Sequence, residues 1–291
     1  MAAFLSGRRR RCALSPESSH NPSHPKFMDL QLDGKLAFIT GSTAGIGYAI
    51  AQGLAKEGAT VIVNGRTARR VDAALESLAK SSVRGRLEGL PADLGTVEGA
   101  NLAIQRFPDV DILVNNLGIF EPKPFEMIPD EDWLRFFEVN VLSGVRLSRH
   151  YLPRMTKRNW GRIVFISSES AVQIPAEMIH YGMTKTAQLA ISRGLAETTV
   201  GTGVTVNAIL AGPTGSEGVE EFVNRLATST NKSPQAFEQE FFRSMRPSSL
   251  LQRFARPEEV ANLVTYVCSP LSSATNGAAL RVDGGVLRSI V

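Results

Sequence analysis

Residues 35–55 read KLAFITGSTAGIGYAIAQGLA, a stretch in which a buried strand, a glycine turn and a helix follow one another. The mainly apolar run Lys35–Thr40 predicts the strand. The four-residue repeat of Ile46, Ile50 and Leu54 predicts the helix. The glycines between them, spaced G-x-x-x-G-x-G, let the backbone turn tightly and approach a pyrophosphate, which the helix N-terminus can bind. We therefore predict a phosphate-binding loop, the alternative being a tight turn that holds no ligand.

The second strand, Thr60–Asn64, bears on the choice of cofactor. About 20 residues beyond such a loop, an acidic residue would bind the 2′-hydroxyl of the adenosine ribose. Here the strand continues into Gly65 and Arg66, without a carboxylate. A guanidinium can bind a 2′-phosphate instead. We therefore expect NADP(H) rather than NAD(H), the alternative being a solvated Arg66 that touches no ligand.

Strand-like runs alternate with helical patterns along the rest of the chain. Near-continuous apolar strands are predicted at Ile112–Val114, Ile163–Ile166, Val204–Ile209 and Leu280–Val282. Such strands are typical of a parallel sheet covered by helices on both faces. The chain has 291 residues, 43% of them hydrophobic, and no repeat or composition break within residues 28–291. We predict one doubly wound, Rossmann-type α/β domain over residues 28–291, with a mostly parallel sheet.

The net positive charge of the chain lies in its first 27 residues. They hold five basic residues against one acidic residue, whereas residues 28–291 hold 27 of each kind. The domain therefore gives no electrostatic reason to expect nucleic-acid binding. Residues 1–27 contain serine, proline and the run Arg8–Arg11, and their composition predicts a disordered tail. That tail is an inert or upstream-start extension ahead of Met28, or alternatively a transit signal.

The sequence gives no sign of a metal site, a disulfide framework or a membrane span. Its two cysteines are Cys12 and Cys268, and it contains no CxxC, HExxH or EF-hand motif. No uncharged apolar stretch reaches about 18 residues. The stretch Met1–Leu5 is too short for the core of a signal peptide. We therefore expect a cytoplasmic protein with no metal and no membrane partner.

Tyr181 and Lys185 stand four residues apart, which puts a phenol and an ammonium on one face of a helix. A neighbouring cation favours the phenolate, so the pKa of Tyr181 is predicted to fall below its usual value of about 10. The pair could then donate or accept a proton near neutral pH. Of the four tyrosines in the chain, only Tyr181 has a lysine at this spacing.

Several motifs, taken together and in order, resemble those of the short-chain dehydrogenase/reductase family. They are the loop Thr40–Gly47, Ala92-Asp93-Leu94, Asn115-Asn116-Leu117-Gly118, Asn140, Ser168 thirteen residues before Tyr181, Ala211-Gly212, Ser216 and Val282-Asp283-Gly284-Gly285. Leu117 and Ala211 depart from the Ala and Pro of the family pattern. The first change could narrow the wall beside the cofactor, and the second loosens the turn before the substrate segment.

The resemblance implies a catalytic tetrad of Asn140, Ser168, Tyr181 and Lys185. Tyr181 would be the general acid in reduction and the general base in oxidation, and Lys185 would hold the nicotinamide ribose. Ser168, or Ser167 if the register slips, would hydrogen-bond the substrate oxygen. Asn140 would distort its helix and hold a water. The residues implied to bind the cofactor are Gly41, Ser42, Thr43, Gly45, Ile46, Gly47, Arg66, Asp93, Leu94, Asn116, Gly118, Tyr181, Lys185, Gly212, Thr214 and Ser216.

The substrate segment is predicted over residues 215–256. Its apolar residues suggest two short helices, which would form a lid over the cofactor or simply a packed hairpin. These residues are Phe222, Leu226, Phe237, Phe241, Phe242 and Met245. Glu169 and Gln173 are further candidates to line the pocket, whereas His180 should point away from Tyr181 because adjacent helical residues diverge. Glucose-type, gluconate-type, steroid and 3-oxoacyl substrates all remain open.

Three functions are candidates for a chain with these motifs. The first is an NADP(H)-dependent carbonyl reductase or alcohol dehydrogenase acting on a small molecule. The second is a 3-oxoacyl-(acyl carrier protein) reductase, for which Arg225, Arg243 and Arg246 could form a docking patch at the pocket mouth. The third is a catalytically idle nucleotide-binding regulatory protein, which would lack a tetrad residue, and none is missing. Acyl transfer by Ser168 is disfavoured because the chain has no G-x-S-x-G elbow.

A homo-oligomer is also expected. The resemblance implies a tetramer. The helices predicted around Trp133–Met155 and Thr184–Glu197 carry more apolar residues than one buried stripe needs. Such a surplus often marks an interface between subunits.

Overall fold

The described strands of the protein form one sheet. The computed structural model describes residues 28–216 and 233–290, so the predicted tail 1–27 and residues 217–232 of the substrate segment lie outside the described residues. The described strands are β1 (Leu36–Ile39), β2 (Thr60–Gly65), β3 (Leu87–Pro91), β4 (Ile112–Asn115), β5 (Gly161–Ser168), β6 (Val204–Ala211) and β7 (Ala279–Val282). Their order is β3-β2-β1-β4-β5-β6-β7, and every pairing is parallel.

Helices cover both faces of this sheet, which confirms the prediction of a doubly wound α/β fold. The described α-helices are α1 (Gly45–Lys56), α2 (Ala68–Lys80), α3 (Val97–Arg106), α4 (Asp130–Phe137), α5 (Ser143–Lys157), α6 (Ile179–Glu197), α7 (Pro234–Ser244) and α8 (Pro257–Val267). Among the described residues, α1, α2 and α8 pack on one face, and α3, α5 and α6 pack on the other. None of these helices is long and apolar enough to cross a membrane.

Side chains alternate between the two faces of the sheet along each strand, so each face has its own hydrophobic core. In β1, Ala37 and Ile39 join the core under α1 and α8, while Phe38 points into the core under α3 and α5. Both faces are buried, so the strand is apolar throughout, as the sequence predicts. The strand order reverses between β1 and β4, which lets a crevice open at their carboxyl ends.

The structure departs from the sequence-based prediction at two strands. The edge strand Leu87–Pro91 was not predicted, because it is short, half-exposed and contains a glycine and a proline. The strand predicted at Ile163–Ile166 begins at Gly161 and includes Arg162, which is only 2% exposed. The guanidinium of Arg162 is accommodated because it donates to the carbonyl oxygens of Gly161 (2.8 Å), Gly203 (2.9 Å) and Ser269 (3.3 Å).

Candidate active site

The glycine loop lies between β1 and α1 at the mouth of the crevice. Gly41 and Gly45 have φ angles of +62° and +57°, in the left-handed region that favours glycine. At Gly47 a Cβ would lie 2.4 Å from the side-chain nitrogen Nδ2 of Asn116, so no larger residue fits there. Ser216 rests against the other side of the loop, 3.0 Å from where a Cβ on Gly45 would lie. This side-chain-free cradle at a helix N-terminus fits a pyrophosphate.

Three polar side chains hold the loop in place. The Ser42 hydroxyl donates to the Ile39 carbonyl oxygen (2.8 Å), and the Asn64 carboxamide oxygen accepts from the Gly41 N–H (3.0 Å). Asn116 donates to the carbonyl oxygens of Thr40 (2.9 Å) and Gly41 (3.0 Å). The side chains of Ser42 and Asn116, predicted to bind the cofactor, therefore bind the loop itself. Sequence reasoning missed the role of Asn64, which was noted only for its lack of charge.

The residues predicted to contact the adenosine half lie at the carboxyl ends of β2 and β3. Arg66 is exposed directly after β2, and Arg69 and Arg70 line a surface depression together with Thr43 of the loop. These two additional arginines were not singled out from the sequence. Asp93 is exposed and accepts a hydrogen bond from the Gly95 N–H (3.0 Å), and the neighbouring Leu94 is buried.

A cavity opens where β4, β5 and β6 end. The predicted site residues that line it are Ile46, Asn116, Gly118, Ser168, Tyr181, Lys185, Gly212, Thr214 and Ser216. The apolar residues of its wall include Ile119, Phe120, Met178, Phe241, Met245 and Phe254. Phe222, Leu226 and Arg225 lie outside the described residues. Of the two helices predicted in the substrate segment, α7 is described. Gln173 is exposed and does not line the cavity, so that prediction is wrong.

Asn140 lies in a distorted stretch of helix. Residues Glu138–Leu142, between α4 and α5, form a π-helical turn, as the resemblance implied. The Asn140 carboxamide accepts from the Ile119 N–H (2.7 Å) and donates to the Ile119 carbonyl oxygen and the Thr184 hydroxyl (3.0 Å each). The main-chain carbonyl oxygen of Asn140 accepts a hydrogen bond from the Gln188 side chain (2.6 Å). Asn140 therefore joins the segment after β4 to the helix that carries Tyr181.

Lys185 is buried behind the cavity on the same face of α6 as Tyr181. Its ammonium donates to the Ile166 carbonyl oxygen (2.9 Å) and lies 5.6 Å from the centroid of the Tyr181 ring. Burial lowers the pKa of Lys185 to about 8, with Glu169 acting in the opposite direction. Gly118 leaves space in front of this ammonium, because a Cβ there would lie 3.4 Å from the Lys185 nitrogen.

The surroundings of Tyr181 raise the pKa of its phenol above the usual value. Burial is the largest cause and the Glu169 carboxylate adds to it, whereas a hydrogen bond with Ser168 and the charge of Arg246 act in the opposite direction. The predicted fall of the Tyr181 pKa is therefore wrong, because loss of hydration in the interior dominates and the Lys185 ammonium is not among the causes of the shift. The phenol is therefore protonated at neutral pH, as a proton donor must be.

Ser168 and its neighbour Ser167 have different surroundings. The Ser168 hydroxyl lines the cavity, donates to the Glu169 carboxylate and accepts from the Ser170 N–H (3.1 Å). The Ser167 hydroxyl donates to the main-chain carbonyl oxygen of Lys185 (2.9 Å). This hydrogen bond joins β5 to α6. Both serines line the cavity, and the contact of Ser167 with the main chain of α6 favours Ser168 as the residue that meets the substrate.

Two further titratable side chains lie close to the cavity, and the sequence did not reveal their surroundings. Arg246 is buried and donates to the carboxylates of Glu169 and Glu177, at 3.1 Å each. The prediction that Arg246 forms part of a docking patch at the pocket mouth is therefore wrong, because its charge is directed inward. His180 is buried against Phe136, with ring centroids 4.1 Å apart, and points away from the cavity as expected.

No three His, Cys, Asp or Glu side chains within residues 28–216 and 233–290 converge into a metal site. The groups gathered at the cavity are a protonated phenol, a buried ammonium and a hydroxyl. They can transfer a proton and stabilise negative charge on an oxygen.

Comparisons with known proteins point in the same direction. A family model described as enoyl-(acyl carrier protein) reductase matches residues 41–287. An uncharacterized oxidoreductase of Bacillus subtilis (strain 168), YvaG, is 53% identical over 263 residues, which are 90% of this chain and 100% of the relative. A 3-oxoacyl-[acyl-carrier-protein] reductase of Aquifex aeolicus (strain VF5) is 33% identical over 264 residues, 89% of this chain and 100% of the relative.

Solved structures are similar over the same length. The L-sorbose reductase of Gluconobacter frateurii, complexed with NADPH and L-sorbose, superposes with a TM-score of 0.84 at 32% identity. The match covers 90% of this chain and 100% of that chain.

The pH dependence of folding stability tests the burial of the Lys185 ammonium. The folded protein binds the Lys185 proton less tightly than the unfolded chain does, since burial lowers the pKa from its usual 10.5 to about 8. At pH 7 the charge therefore costs up to about 3 kcal/mol of folding free energy. At pH 7 we expect the melting temperature of Lys185→Met to equal or exceed that of the wild type. As the pH rises above about 8, the stability of the wild type should increase relative to that of the variant.

Thermal unfolding at pH 7 and at alkaline pH measures this difference, and Lys157→Met, at an exposed position of α5, serves as the control. The control should follow the pH dependence of the wild type. A marked fall in the melting temperature of Lys185→Met at pH 7 would show that the ammonium stabilises the fold.

Proposed function

The chain belongs to the short-chain dehydrogenase/reductase family and is an oxidoreductase of that family, and we propose that it transfers a hydride between NADP(H) and a small carbonyl or alcohol substrate. The observation that carries this proposal is the convergence of Ser168, Tyr181 and Lys185 on one cavity. Ile46 of the glycine loop lines the same cavity, so a nucleotide held by the loop could extend to these three side chains.

The residues divide the chemistry between them. The nicotinamide, when bound, supplies the hydride in reduction and accepts it in oxidation. Tyr181 would give its phenolic proton to the carbonyl oxygen while negative charge develops there, and Ser168 would donate a hydrogen bond to the same oxygen. The Lys185 ammonium would stabilise the phenolate that remains and hold the ribose hydroxyls. In alcohol oxidation the same groups act in reverse.

A 3-oxoacyl-(acyl carrier protein) reductase remains the second candidate, supported by the relative of that name. The structure gives less support to the docking patch that this function needs. Arg246 pairs inward with Glu169 and Glu177, and the exposed Arg243 pairs with Glu240. Arg225, the third member, lies outside the described residues. A small-molecule substrate therefore accounts better for the charges around the cavity.

The first test is removal of the proton donor. Tyr181→Phe keeps the ring and its packing, so NADPH should still bind, while turnover should fall by about 10²- to 10⁴-fold or more. Steady-state kinetics and cofactor titration measure the two effects. The matched control is Tyr151→Phe, a buried tyrosine that donates to the Phe107 carbonyl oxygen (2.8 Å) away from the cavity. Near-normal kcat in Tyr181→Phe would refute the assignment.

The second test concerns the choice of cofactor. A charge-assisted contact of Arg66 with the 2′-phosphate contributes roughly 1.5–3 kcal/mol, or about 10- to 150-fold in affinity. Arg66→Ala should therefore weaken NADPH binding and leave NADH binding nearly unchanged, as measured by titration of both cofactors. Arg86→Ala is the control for the loss of a positive charge. Arg86 is exposed at the amino end of β3, whereas Arg66 follows the carboxyl end of β2. Equal dissociation constants of the wild type for the two cofactors would contradict the NADP(H) assignment.

We also propose a homotetramer in the cytoplasm. Three exposed apolar side chains lie on α4 and the turn before it, where Phe125 is 60%, Met127 66% and Leu134 70% exposed. A second copy of the chain is the partner that the family resemblance implies for such a patch. Light scattering at micromolar concentration tests this association. A monomer would overturn it, and Leu134→Lys should weaken the association.

A further inference from the structure

Glu169 places a carboxylate at the catalytic end of the cavity. It directly follows Ser168, lines the same cavity and is 4% exposed. Its negative charge is close enough to the Tyr181 phenol to raise the pKa of that group. A carboxylate this deeply buried is costly unless other groups satisfy it. Its position beside the two hydroxyls that would meet the substrate oxygen suggests that it also meets the substrate.

Arg246 satisfies one side of this carboxylate. Its Nε donates to one Glu169 oxygen at 3.1 Å, and its Nη1 donates to Glu177 at 3.1 Å. Arg246 thus has two carboxylates for one guanidinium and is only 7% exposed. An anionic group of a substrate would bring a third negative charge to this one guanidinium. Among the described residues that line the cavity, the other cation is Lys185, which already donates to a carbonyl oxygen.

The other Glu169 oxygen accepts the hydroxyl proton of Ser168. A serine hydroxyl has only one proton to donate. While that proton is directed at Glu169, it is not directed at a carbonyl oxygen in the cavity. A simple ketone, which only accepts, must compete for it with a charged acceptor, and charged acceptors bind protons more strongly.

A substrate that brings its own donor would resolve this competition. A hydroxyl on the carbon next to the carbonyl can donate to Glu169 and so release the Ser168 proton to the carbonyl oxygen. The two substrate oxygens would then meet Ser168 and Glu169, which are themselves within hydrogen-bonding distance of each other. Glu169 accepts a hydrogen bond here and transfers no proton. The hydride goes to the carbonyl carbon and the Tyr181 proton to its oxygen.

We propose that Glu169 is a specificity-determining residue and that the substrate is a ketone with a hydroxyl on the adjacent carbon, or, in oxidation, a vicinal diol. This inference rests on the proposed hydride transfer. The apolar side chains of Phe120, Met178 and Phe254 would face the remaining carbon skeleton. A carboxylate next to the carbonyl would be disfavoured, because Glu169 repels it and Arg246 is already paired.

A substrate series tests the inference on the wild-type enzyme with NADPH. It comprises a 1-hydroxy-2-alkanone, the 1-methoxy-2-alkanone, the 2-alkanone and the 2-oxoalkanoate of the same chain length. The methoxy ketone keeps the electron-withdrawing oxygen but cannot donate a hydrogen bond. We expect kcat/KM to be about ten- to a hundredfold higher for the hydroxy ketone than for the methoxy ketone, the range of a hydrogen bond to a charged group. Equal values would overturn the inference.

Glu169→Gln tests the residue itself. The amide has the same shape without the charge, so the preference for the hydroxy ketone over the methoxy ketone should fall towards one. A purely structural role would lower both values together and leave their ratio unchanged, which would overturn the assignment. Glu177→Gln is the matched control, since it removes the charge of the other carboxylate that pairs with Arg246, whereas Ser168 donates to Glu169. It should keep the preference of the wild type.

The hydride transfer and the role of Glu169 can be contradicted separately. Reduction of the ketones without preference for the hydroxy ketone would overturn the role of Glu169 and leave the hydride transfer standing. Binding of NADPH without reduction of any member of the series would contradict the hydride transfer, and the substrate class with it. The wild-type comparison requires no variant to fold.

Discussion

Parallel pairing of the seven described strands is the constraint on which the candidate site depends. It brings the carboxyl ends of the strands to one edge of the sheet. The glycine loop after β1, Gly118 after β4, Ser168 at the end of β5 and Thr214 after β6 meet there for that reason alone. Because the strand order reverses between β1 and β4, the crevice at this edge is open to a nucleotide.

Burial then sets the chemistry of the groups at this edge. It raises the pKa of Tyr181 and lowers that of Lys185 to about 8, so each shift favours the uncharged form. The charges that remain are held by hydrogen bonds. Arg246 has carboxylate partners in Glu169 and Glu177, and the Lys185 ammonium donates to the Ile166 carbonyl oxygen. The result is a neutral proton donor between an ammonium and a carboxylate that the protein has already desolvated.

Local patterns in the sequence were enough to predict six of the seven described strands, the glycine loop and the placing of Tyr181 and Lys185 on one helix face. They failed where the structure depends on distant partners. Arg246 and Glu169 are 77 residues apart, so no local pattern relates them, and the arginine was assigned to the surface. The pKa of Tyr181 was predicted from a single neighbour, whereas the desolvation that dominates it arises from the whole fold. Residues 1–27 and 217–232 lie outside the described residues, so the predictions for them stay predictions.

The central claim is that a hydride passes directly between the nicotinamide and a carbonyl carbon while Tyr181 supplies the proton. NADPH carrying deuterium at one or the other position of the nicotinamide C4 tests it most directly, with a hydroxy ketone as substrate. The account predicts deuterium on the new carbinol carbon from one of the two labelled cofactors only. Oxidation of NADPH that leaves the alcohol without deuterium from either cofactor would contradict it.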